Sequence, residues 1–111
     1  MSPRPINNPG NAINMKDITT ATSATGDVVV TLDNPCTVNA PELVYARAQL
    51  TAAYSDVTAP VPVSLAVGTL LKVASVTKGM TSCTVRLTGP GNEILNGAKV
   101  LLFFASFENA R

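Results

Sequence analysis

The stretch 98–107, AKVLLFFASF, holds all three phenylalanines of the chain, and only Tyr45 and Tyr54 add to the aromatics. Read as a strand, it sends Val100, Leu102 and Phe104 to one side. Leu101, Phe103, Ala105 and Phe107 go to the other side. Both faces are then apolar. A strand covered on one face only alternates apolar with polar residues, and this one does not. Its second face therefore has to meet something: another sheet, the N-terminal segment, or another copy of the chain.

Upstream of this stretch, the turn 89–92, GPGN, closes a clean strand pattern at 81–88, TSCTVRLT. There Cys83, Val85 and Leu87 alternate with Thr84, Arg86 and Thr88, a half-buried strand. The segment 69–77, TLLKVASVT, reads as its hairpin partner across Lys78-Gly79-Met80, with Gly79 supplying the tight connection. Lys72 interrupts the apolar pattern of that partner, as a charge on an edge strand does. Residues 63–67 form a short strand ended by Gly68, and 53–62 read as a loop with Pro60 and Pro62. Residues 27–32, DVVVTL, are strand text stopped by Asp33-Asn34-Pro35, and 36–38 read as a short extended piece. Residues 93–96 read as irregular or a single helical turn, and 108–111 as a polar end.

The segment 43–52 has two readings. As a helix it has Asn39 to cap it, Glu42 at the offset of a capping box, and several alanines. As a strand it places Val44, Ala46, Ala48 and Leu50 inward and Tyr45, Arg47, Gln49 and Thr51 outward. The regular alternation and the strand-like neighbours favour the strand. Tyr45 and Arg47 then share an outward face, as solubilising residues or as the kind of pair that anchors interfaces.

Residues 1–26 differ from the rest: Pro3, Pro5, Pro9, several asparagines and a Thr/Ser/Ala run. Such a segment cannot build a core alone. It reads as a loose tail or as an extended arm whose spaced anchors Ile6, Ile13, Met15 and Ile18 contact a neighbouring subunit. The expected architecture is all-β: one small β-sandwich or jelly-roll-like barrel of about six to eight short strands over 27–111, with the extended arm over 1–26.

Composition narrows function mainly by exclusion. A chain of 111 residues is one domain. Apolar residues make up 46% but aromatics 5%, with no Trp, so Val, Leu and Ala must build the core. Charged residues are 14%, against about 25% in an average domain. With a net charge of +1, little repulsion keeps copies apart. The eight Lys and Arg are scattered singly, with no basic run to displace counterions from a nucleic acid. The start, MSPRPINNPG, has no apolar run of a signal peptide, and no segment is long and apolar enough for a membrane span. The chain is expected to be made in a cytoplasm.

The chain has no His, which removes the commonest general base and metal ligand and every Ser-His-Asp or Cys-His site. The acids sit in no recognisable motif and read as turn carboxylates. Cys36 and Cys83 are too few for a disulfide framework or a zinc site and read as reduced, buried small hydrophobes. No catalytic, metal or cofactor site and no small-molecule substrate are expected. The residues instead describe a protein that binds protein, most simply itself, through Leu101, Phe103 and Phe107, through Tyr45 and Arg47, and through the arm.

The runs GDVVVTL at 26–32, NAPELVYARAQLTA at 39–52 and GAKVLLFFASF at 97–107 resemble small β-sandwich structural proteins of tailed-phage virions, of the capsid decoration or head-stabilising type. The resemblance is one of texture, with Thr/Ala/Val-rich strands and a proline-rich arm. It implies a virion protein, assembled in the host cytoplasm, that forms a homo-oligomer such as a trimer and binds the major capsid protein. A minor capsid protein and a tail component fall within the same resemblance. The alternative from the residues themselves is a carbohydrate- or surface-binding β-module, which the lack of Trp disfavours.

Overall fold

A computed structural model of the chain describes residues 12–58 and 60–108. Among them there are eight strands and no helix: β1 (Ile13–Ala21), β2 (Asp27–Thr31), β3 (Leu43–Leu50), β4 (Tyr54–Asp56), β5 (Val63–Leu65), β6 (Leu70–Lys78), β7 (Ser82–Thr88) and β8 (Lys99–Phe107). Six of them form one antiparallel sheet in the order β1-β8-β3-β6-β7-β2, and β4 and β5 pair separately as a small hairpin.

The sheet folds over on itself at β6. The first residues of β6 pair with β3, as Leu71 opposite Ala48 and Leu70 opposite Gln49. From Lys72 onward it pairs with β7, and its register shifts between Val73 and Ser75. A bulge of this kind bends a strand and tightens its twist, which lets one strand serve two walls. One wall is β1-β8-β3 and the other is β6-β7-β2. The all-β sandwich expected from the sequence is the architecture found, with the walls nearly closed like a barrel.

The core lies between the walls. Val28, Val30 and Leu32 with Cys83, Val85 and Leu87 line it from the β2-β7 side, and Ala48, Leu50, Val100, Leu102 and Phe104 from the β3-β8 side. Phe104 is the largest fully buried side chain among the described residues. Each of these positions obeys the period of two, so the inward residues of 81–88 and 98–107 fall where alternation puts them. Residues Leu43–Leu50 form strand β3 and not a helix, and its alternating residues Ala48 and Leu50 lie in the core with Phe104.

Several expectations change, among them residues 54–56, read as loop, which form strand β4 against β5. Residues 13–21, placed in an arm reaching to a neighbour, are edge strand β1 of the chain's own sheet, paired along all nine residues with β8. Their polar composition misled: β1 puts Asn14, Lys16 and Ile18 inward, and an Asn and a Lys on a strand's inner face do not read as strand. Lys72 sits just past the β3 pairing, where β6 is laddered to β7 alone, and donates to the Asn92 side chain at 2.8 Å. Residues 36–38 form no strand. The N–H groups of Thr37, Val38 and Asn39 all turn toward one carboxylate, which an extended strand cannot do.

That carboxylate is Glu108, fully buried. It accepts from Val38 N and Asn39 N at 2.8 Å, from Thr37 N at 3.1 Å and from Ala12 N at 3.4 Å. Its own N–H donates to Ala12 O at 2.9 Å. Burial pushes the carboxyl up; the backbone donors of Asn39, Val38, Thr37 and Ala12 together outweigh that and hold it below the ordinary carboxylate range. One side chain thereby pins the start of β1, the end of β8 and the 36–39 loop together.

Candidate interaction surface

The outer face of the β1-β8-β3 wall is built by strand register. Its cross-strand rows read Ile13–Phe107–Leu43, Met15–Ala105–Tyr45, Asp17–Phe103–Arg47 and Thr19–Leu101–Gln49. Because β8 alternates between two apolar faces, burying Phe104 inside presents Phe103 outside. Phe103, Leu101 and Phe107 remain half-buried. Ile13, Met15, Leu43 and Tyr45 are 57%, 68%, 62% and 57% exposed. So many large apolar side chains in one patch on an open sheet face are uncommon on a monomer surface.

The patch has relief. The Tyr45 ring stands edge-on to Phe103, with centroids 6.1 Å apart and planes at 61°. On one side of this ridge lies a hollow of about 420 Å³ formed by Ile13, Met15, Leu43, Ala105 and Phe107. On the other lies a smaller one of about 200 Å³ bordered by Asp17, Arg47, Leu70 and Leu101. The face is also graded. Its Ile13–Phe107–Leu43 end is wholly apolar, and its opposite end carries Thr19, Gln49 and Lys99.

Of the residues expected at an interface, the structure brings Ile13, Met15, Tyr45, Arg47, Leu101, Phe103 and Phe107 onto this one face. Ile18 is not among them: it points inward and packs on the chain's own core. Ile6 lies outside the described residues. Sequence reading missed Leu43 and Asp17. The signal for Leu43 was its parity with Tyr45 and Arg47; Asp17 needed β1 to be recognised as a strand.

The two arginines that alternation placed outward differ in company. Arg86 forms a two-pronged ion pair with Asp27, its cross-strand neighbour, with Nε to Oδ1 at 2.8 Å and the second prong at 3.2 Å. The hydrogen bond from Arg86 is the main cause holding the Asp27 carboxyl below its ordinary value. Arg47 and Asp17, two strands apart on either side of Phe103, have no ion-pair partner among the described residues.

Elsewhere the polar groups serve the fold. Cys36 and Cys83 are free and buried, and burial pushes the Cys36 thiol up. Among the described residues no three His, Cys, Asp or Glu side chains gather as metal ligands do. No family model, no curated protein and no solved structure matches the chain.

Proposed function

We propose that this chain is a non-enzymatic structural protein of a virus particle, a capsid decoration or minor capsid protein that self-associates and binds a capsid lattice. The observation that carries the reading is the outer face of β1-β8-β3, where seven of the side chains expected at an interface form one largely apolar surface. Burying such a face against protein stabilises by roughly 25 cal/mol for each Å² of apolar surface removed from water. A few large side chains then supply most of the affinity. The low charge density suits a molecule that works at high local concentration in an ordered array.

The test is the composition of particles. Virions purified from cells carrying the gene are probed with an antibody against the chain, before and after replacing Phe103 by Asp. The chain is expected to band with intact particles in stoichiometric amounts, and the F103D chain to remain in the soluble fraction. Particles without the chain, with all of it free in the lysate, would overturn the reading.

A further inference from the structure

We propose that the occupant of the outer β1-β8-β3 face is a second copy of the same face, related by a two-fold axis parallel to β8, so that Asp17 of each copy pairs with Arg47 of the other. The inference rests on the assembly reading above and says which surface self-associates and in which orientation.

Two sheets pack face to face about 10 Å apart with strand directions within about 30°. In a two-fold contact the same patch is used twice and must complement itself. Two axis directions bring this face onto itself. An axis along β8 lays β1 of one copy over β3 of the other at the same level. Asp17 then lies opposite Arg47, twice, with Phe103 meeting Phe103 on the axis between them. The apolar row Ile13–Phe107–Leu43 meets its own counterpart, and Met15 meets Tyr45.

An axis across the strands, centred on the same row, does the reverse. It sets Asp17 against Asp17 and Arg47 against Arg47, like charges in a desolvated contact. It also lays the apolar end of the face over the end bearing Thr19, Gln49 and Lys99. Charge and hydropathy therefore select the same axis, and like-charge juxtaposition rejects the other. Arg86 is satisfied within the chain by Asp27, while Asp17 and Arg47, on strands about 10 Å apart with β8 between them, form no ion pair among the described residues.

The sheet face itself projects onto roughly 400 Å². That is below the roughly 800 Å² per partner of a standard interface, so the dimer is concentration-dependent.

Charge exchange tests this. The native mass of the full-length chain is followed by sedimentation over a wide concentration range for the wild type, Asp17→Arg, Arg47→Asp, and an equimolar mixture of the two variants. The wild type is expected to dimerise. Each single variant faces like charges across the axis and is expected to weaken association roughly tenfold or more. The mixture is expected to recover it. In a mixed pair both contacts are again between opposite charges, with the cation at position 17 of one chain facing the anion at position 47 of the other. Both positions are on the outer face, and unchanged circular dichroism spectra establish that the variants fold.

The direction of the axis is read separately. A Met15→Cys chain mixed with a Tyr45→Cys chain should cross-link as a mixed pair and neither should cross-link alone. Wild-type association unaffected by either charge change, a mixture that fails to recover, or no mixed cross-link overturns the inference. So does a wild type that stays monomeric throughout. In that last case the assembly reading stands or falls separately, on whether the chain bands with particles.

Discussion

At the scale of single residues, the fold depends on a few polar groups that composition hides. Glu108 is the clearest. Read as part of a polar end, it continues the parity of Val100, Leu102, Phe104 and Ser106, so the period of two already places it on the inner face. What parity does not reveal is the cluster of N–H groups from Ala12 and the 36–39 loop that makes a buried carboxylate tolerable. Because its folded-state pKa lies below the unfolded one, its stabilisation is fully present at neutral pH. It is lost as pH falls through and below the ordinary glutamate value of about 4.3. Asp27, also held low, adds in the same direction. Thermal unfolding followed from pH 7 to 3 should show Tm falling on the acid side. Glu108→Gln should lower Tm at pH 7 and flatten that acid limb, leaving the smaller slope from Asp27.

Thr22 acts in the same way at the other end of the walls. Its hydroxyl donates to Leu95 O at 3.3 Å and accepts from Ala98 N at 3.0 Å, both buried. Replacing it with Val keeps the shape and removes both of these bonds, so urea denaturation of Thr22→Val should show a loss of about 1–3 kcal/mol. Nearby, Gly26 has φ +87° and a Cβ there would collide with Leu87 O, so the turn between β1 and β2 requires glycine.

At the scale of elements, β8 decides the molecule, and adjacent phenylalanines separate its two roles. Phe104 is fully buried between the walls, and Phe103 is half-exposed beside Tyr45. Phe104→Ala should cost about 3–5 kcal/mol in denaturant unfolding, the range for emptying a packed aromatic site. Phe103→Ala should change stability far less and should abolish concentration-dependent association in sedimentation. Equal destabilisation by the two would mean that the outer face is held within the chain and is no interface. The alternation behind this contrast was legible in the sequence, as were β2, β3, β7 and the β6–β7 hairpin, because each carries its own apolar period. β1 was not legible. Its inward side chains are Asn14, Lys16, Ile18 and Thr20, and no local rule marks such a strand when its partner, β8, lies at the far end of the chain.

At the scale of the whole molecule, the strand order is what no stretch of sequence contains. β1 and β2 follow each other across a short turn, yet they stand at opposite ends of the six-stranded order. The walls therefore meet along a seam between β1 and β2 that has no ladder pairing among the described residues. Side chains hold it instead. Asn14 Nδ2 donates to Asn34 O at 2.9 Å, Asn34 N donates to Asn14 Oδ1 at 2.8 Å, and Asn34 Nδ2 donates to Ile13 O at 2.9 Å. Lys16 and Asp33 add an ion pair at 3.3 Å, largely exposed on the Asp33 side and so a small contributor.

Asn34 read correctly as a turn residue after β2, but its second task as a clasp follows only from the fold. A seam closed by side chains opens at lower cost than a laddered one, so local unfolding should start there. Asn14→Ala removes the two bonds to the Asn34 backbone and should cost about 1–3 kcal/mol. In native-state hydrogen exchange it should speed the amides of β1 and β2 well beyond those of β7 and β8 in the same molecule. Uniform acceleration of all six strands would instead mean that the walls part only on global unfolding, and that the seam is as strong as the sheet it closes.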